Sequence, residues 1–107
     1  SKRYDDDISS VCAAFNLRII KNKVQNVRIA YGGMAAIPKR AIYCEKILLN
    51  SLITDDIINK AKKALEKDFK PISDMRASGL YRMEIAKNLL EKVCVEVKRK
   101  KLIGVYF

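Results

Sequence analysis

Asp5, Asp6 and Asp7 stand in a row, and three adjacent carboxylates are the residue type that can hold Mg2+ or flank a reacting group. Neighbouring side chains at a strand entrance point in different directions, so the triplet is not a metal cage and reads first as a solvated turn. The chain has no histidine. That removes every Ser-His or Cys-His nucleophile pair, the imidazole general base and the commonest ligand of zinc and copper. Cys12, Cys44 and Cys94 lie 32 and 50 residues apart, without a CxxC pair, so no local thiolate cluster has metal-binding spacing. Their apolar neighbours suggest buried free thiols in a reducing compartment. No catalytic residue and no metal ligand is assigned.

Tyr31-Gly32-Gly33-Met34 lacks both the GxGxxG spacing and the strand-to-helix context of a phosphate loop. A bulge, a turn or a close backbone approach at the end of a hairpin accounts for it. Lys39-Arg40 and Lys98 to Lys101 are the densest basic spots, but no RNA-recognition aromatic pair, GXXG loop or zinc finger accompanies them. Asp74, Arg76, Tyr81 and Arg82 gather hydrogen-bonding side chains around one helix start. With no nucleophile or base beside them, bracing a loop against the helix is the simpler role.

The elements that must position these residues follow from periodicity. The 107 residues, 50% hydrophobic and 32% charged, make one domain, 1–107, with a single core. A formal charge of +10 favours polyanions, acidic partners or anionic cofactors and says nothing about fold. No run approaches the ~20 apolar residues of a membrane span, and the first residues do not resemble a signal peptide. The expectation is a soluble, cytoplasmic protein without a membrane partner. The first residue is serine, which points to a fragment or processed piece.

From Ile8, the apolar positions Val11, Ala13, Phe15, Leu17 and Ile19 alternate with polar ones, and Val27, Ile29 and Tyr31 resume the pattern after Lys21-Asn22-Lys23. The two runs predict an antiparallel hairpin. A third extended piece is expected around Ala36 and Ile37, before Pro38. The segment 39–51 fits a strand at its start or a short helix at its end. Thr54 as cap, Asp55 and Asp56 in the first turn, and the stripe Ile57, Ile58, Ala61, Ala64 and Leu65 predict a second helix. Residues 68–74 read as a loop. Ser78 is placed as the cap of the longest helix, with Tyr81, Ile85, Leu89, Val93 and Val97 as its stripe and Ala86, Leu90 and Cys94 widening it. The tail 102–107 fits a short strand or a frayed end. The fold class is α+β: an antiparallel sheet of three or four strands covered by about three helices, a two-layer sandwich.

Three segments, KRYDDDISSVCAAFNLRI, VRIAYGGMAAIPKRA and DFKPISDMRASGLYRMEIAKNLL, resemble the C-terminal part of the FAD-binding subunit of molybdenum hydroxylases. They are most similar to xanthine dehydrogenase, and the carbon monoxide dehydrogenase flavoprotein has looser versions. The resemblance spans roughly residues 2–95 and implies the same small sheet with three helices. It implies one wall of a flavin cavity, with Lys2, Arg3, Tyr4, Asp5 and Asp6 beside the isoalloxazine and Asp6 foremost. The complete enzyme would pass electrons from molybdopterin through two 2Fe-2S clusters to FAD and on to NAD+ or oxygen, NAD+ being the expected acceptor, as in purine catabolism. The implied partners are the N-terminal FAD-binding portion, the iron–sulfur region and the molybdopterin subunit.

Glycine-rich pyrophosphate loops and cluster cysteines are absent from these residues, so the chain alone is expected to bind FAD weakly or not at all and to catalyse nothing. Gly32, Gly33, Pro38 to Ala41, Asp74, Arg76 and Tyr81 match family segments and are assigned to shaping the sheet edge and domain contacts. The alternatives are a basic nucleic-acid-binding module, which the missing motifs weigh against, and a stand-alone interaction module.

Overall fold

The computed structural model describes residues 11–69, 77–100 and 104–106. Alternation drives the first two strands, β1 (Cys12–Ile20) and β2 (Lys23–Gly32). They pair antiparallel from Cys12↔Gly32 to Ile20↔Lys23, with a register shift after Arg18. Lys21 and Asn22 both take positive φ, 53° and 67°, the handedness that suits the right-handed twist of a two-residue hairpin. The third strand, β3, is Lys39–Arg40, not the expected Ala36–Ile37. Pro38 makes its predecessor extended but offers no N–H to a ladder, so pairing starts only after it. β4 (Gly104–Tyr106) lies on the other side of β1, giving the order β3-β2-β1-β4.

The uncertain middle segment is both things in turn: two residues of strand, then α1 (Ile42–Leu48). α2 (Asp55–Asp68) starts as expected, with Thr54 Oγ1 accepting the Ile57 N–H at 3.2 Å. Its predicted stripe faces inward, Ile58, Ala61, Ala64 and Leu65 being buried. α3 (Ala77–Lys100) begins two residues earlier than a Ser78 cap allows. Its buried line is Ala86, Leu90, Val93, Cys94 and Val97, whereas Tyr81 is exposed and Ile85 and Leu89 only partly covered. The centre of the stripe is therefore rotated by about one residue from the predicted one, toward the smaller side chains that let the helix approach the sheet.

α1 packs on β2, α3 on β1, and α2 joins the two helices. The structure is thus the expected α+β sandwich, with four strands and three helices among the described residues. No helix among them is long and apolar enough to cross a membrane.

Candidate functional site

The pairing Cys12↔Gly32 puts the entrance to β1, and hence the chain that leads into it, beside the end of β2. Two glycines serve this junction differently. A Cβ on Gly32 would lie 2.8 Å from Cys12 Sγ, so a side chain there would push the Cys12 thiol out of its present rotamer. Gly33 has φ 86°, a conformation that side chains resist. Its carbonyl accepts from Arg82 Nη1 at 3.0 Å, which ties the loop to the first turns of α3. The Gly-Gly pair is thus a close approach followed by a turn, as its context implied.

Behind this junction Tyr31 is fully buried. Its hydroxyl donates to the Ala86 carbonyl at 2.8 Å, and its ring meets Phe15 and Phe69 edge-on at 5.9 and 5.5 Å. Burial, and then the Cys44 and Cys94 thiols and Asp68, push the phenol far above its ordinary range, so it is a neutral donor and not a base.

Two buried carboxylates that sequence reasoning missed hold the corner where β2, β3 and α1 meet. Glu45 Oε2 accepts the Ile29 N–H at 2.9 Å, and both its oxygens receive Arg40, at 3.1 and 2.7 Å. Asp68 accepts the Tyr43 and Cys44 N–H groups at 2.8 and 3.0 Å. α1 has Ala41 at its N-cap and no side-chain cap of its own, so the last residue of α2 supplies one from outside. Lys39 Nζ donates to the Asp68 carbonyl at 2.8 Å and lies 5.7 Å from the Phe69 ring centre. A charged residue at the end of an amphipathic helix reads as solvated, and only tertiary placement reveals the cap. Both cations of the Lys39-Arg40 spot are engaged within the fold, which leaves that spot poorly placed to track a phosphate backbone.

The two buried thiols behind this junction stay protonated at neutral pH. Burial holds the Cys94 thiol up at about 12 and, with Cys94, Asp68 and Glu45 nearby, pushes Cys44 higher still; neither forms a thiolate at neutral pH. Cys12 is exposed, correcting the expectation that all three thiols are buried: it sits on the face of β1 away from the helices. Among the described residues no group of three or more acids and cysteines could hold a metal ion. At the opposite, hairpin-turn end a cavity of about 220 Å³ is lined by Ile19, Asn22, Leu52, Ile53, Val97 and Lys98. It is smaller than the roughly 300–1,000 Å³ of ordinary ligand pockets, so it does not take a flavin dinucleotide.

Lys2, Arg3, Tyr4, Asp5 and Asp6 lie outside the described residues, as do Asp74 and Arg76. The structure brings together Gly32, Gly33 and Arg82 but leaves Tyr81 exposed on α3.

The CO dehydrogenase flavoprotein C-terminal domain family matches residues 1–97. The glyceraldehyde dehydrogenase medium chain of Sulfolobus acidocaldarius is 32% identical over 93 residues, covering 87% of this chain and 32% of that protein. The xanthine dehydrogenase FAD-binding subunit of Escherichia coli O157:H7 is 26% identical over 90 residues, 84% of this chain and 31% of its own length. Among solved structures, quinoline 2-oxidoreductase from Pseudomonas putida 86 superposes with a TM-score of 0.68 at 24% identity, covering 83% of this chain and 31% of that one, a likeness of fold. The chain spans about a third of the length of the curated relatives it matches.

Proposed function

The chain belongs to the CO dehydrogenase flavoprotein C-terminal domain family, and from that premise we propose that it forms one wall of the flavin cavity in a larger molybdenum hydroxylase. FAD, when bound in the complete enzyme, links iron–sulfur carriers to a two-electron acceptor, which in this reading is NAD+ in the cytoplasm. The described residues do not enclose FAD, and no reaction step is assigned to them. Their part is to hold the chain that enters β1.

The observation that carries this reading is the junction at the β1 entrance. The contact of Gly32 with the Cys12 thiol, the turn at Gly33 and the Arg82 hydrogen bond to its carbonyl brace the start of β1, the first strand after residues 2–6 in the sequence. A wall on so firm a base suits a group that must be kept in place beside a planar ring. In this reading Asp6 opposes negative charge on the reduced flavin while Lys2 and Arg3 favour it, and their balance tunes potential and nicotinamide access.

The test is Asp6→Asn in the complete enzyme. One charge at ~4 Å is worth about 1 kcal/mol even in a water-like dielectric, on the order of 20 mV for a two-electron couple. The potential should rise by at least that, or the NAD+ KM should change. Values for both equal to those of the parent enzyme would rule out this role for Asp6.

A further inference from the structure

From Ile8 to Cys44 the sequence contains Arg18, Lys21, Lys23, Arg28, Lys39 and Arg40 and not one carboxylate. The fold turns this run into a surface. On β1 and β2 the core-facing pairs are Phe15↔Ile29 and Leu17↔Val27, so the intervening pairs, Asn16↔Arg28 and Arg18↔Asn26, face away from the helices. All four residues are exposed. Arg18 and Arg28 are diagonal neighbours on the two central strands, each opposite an asparagine.

The helix layer is different. There Lys60 pairs with Asp56, Lys62 with Glu91, Lys87 with Glu66 and Lys98 with Asp55. Among the described residues no carboxylate meets Arg18 or Arg28. The two guanidinium groups thus share one exposed face with no carboxylate among the described residues beside them, a surface suited to anionic groups that arrive from outside.

We infer that the open face of the sheet docks a carboxylate-bearing surface of a separate subunit, with Asn16, Arg18, Asn26 and Arg28 as the contact quartet. The planar guanidinium matches a carboxylate with two parallel hydrogen bonds, and the asparagine amides add donors and acceptors beside it. The planar fork of arginine loses less freedom per hydrogen bond formed than a lysine ammonium does, and arginine rather than lysine is the cation enriched in protein interfaces. Among the described residues the open face of these strands offers no aromatic ring on which bases could stack, which favours a polypeptide over a nucleic acid. A charged face keeps a separately folded chain soluble and steers its encounter with an acidic partner. That the partner is a subunit rests on the reading of this chain as part of a multi-chain enzyme, for which the matched relatives are named a medium chain and a subunit.

The experiment uses the assembled enzyme carrying R18E and R28E together. The expected result, by native mass spectrometry and sedimentation, is at least tenfold weaker subunit association, with flavin still bound to the isolated full-length chain. The R18K and R28K pair should restore assembly. Treated with a carbodiimide, it should also give an amide link from position 18 or 28 to an Asp or Glu of another subunit. If the reversed pair does not fold, the neutral R18Q and R28Q pair is read in the same way. Unchanged association with unchanged salt dependence overturns the proposal. So does a link that stays within the same chain, or loss of a co-purified polynucleotide in place of a subunit. Absence of flavin from the parent enzyme would instead count against the flavin reading, leaving the association result to stand by itself.

Discussion

The sheet has two faces made by the same two strands. Toward the helices, Phe15, Leu17, Ile29 and Tyr31 are at most 2% exposed; away from them, Asn16, Arg18, Asn26 and Arg28 stand in solvent. Stability is concentrated on the first face, where apolar area and buried hydrogen bonds accumulate. The second face contributes little to holding the domain together and is free to be specialised for what the domain meets. A substitution therefore has a different kind of consequence depending on which parity of the strand it falls on.

The sharpest way to break this division is on the buried side. Tyr31→Ala removes a ring packed between Phe15 and Phe69 together with its hydrogen bond to α3, and should cost about 3–5 kcal/mol by chemical denaturation. Glu45→Ala orphans the Ile29 N–H and frees Arg40; a loss of about 2 kcal/mol is expected from the unsatisfied backbone donor. Tyr31→Phe keeps the packing and loses only the hydroxyl, so about 1 kcal/mol is expected; a value near that of Tyr31→Ala would mean the hydroxyl, not the ring, holds α3 in place. On the open face Arg28→Ala should stay within about 0.5 kcal/mol of the parent. A larger loss there would end the contrast between the faces.

Alkaline pH sharpens it further. The buried Cys94 thiol is raised from an ordinary value of 9.0 to about 12, so the unfolded chain gives up this proton before the folded one does. Its contribution is complete below pH 9 and is lost as pH rises toward 12, at up to about 1.4 kcal/mol per pH unit within that window. A thiol reagent at pH 8 should find Cys12 at once, and Cys44 and Cys94 only after unfolding.

Much of the buried face was legible in the sequence, because alternation at Val11 to Ile19 and the 3.6-residue stripe from Ile57 to Leu65 are direct imprints of burial. Thr54 as a cap was legible for the same reason, being a local pattern. Glu45 and Asp68 were not, since each serves a backbone group 16 to 25 residues away. The third strand lies three residues beyond the expected one because the rule for the residue before proline speaks of conformation, not of pairing. Ser78 was misread as a cap since a good capping residue also sits without difficulty inside a first turn. The residues proposed to face the flavin came from resemblance alone; nothing in composition or spacing singled out Asp6.

β1 is flanked by β2, its neighbour in sequence, and by β4, whose Tyr106 pairs with Phe15 roughly ninety residues later. During synthesis the hairpin can close within moments of leaving the ribosome, but the outer rim of β1 stays bare until nearly all of these residues have been made. At 5–20 residues per second that is an interval of roughly five to twenty seconds in which a row of unpaired backbone groups invites the wrong strand. The last short strand thus acts as a late-arriving seal on the rim of β1 at Phe15 to Leu17.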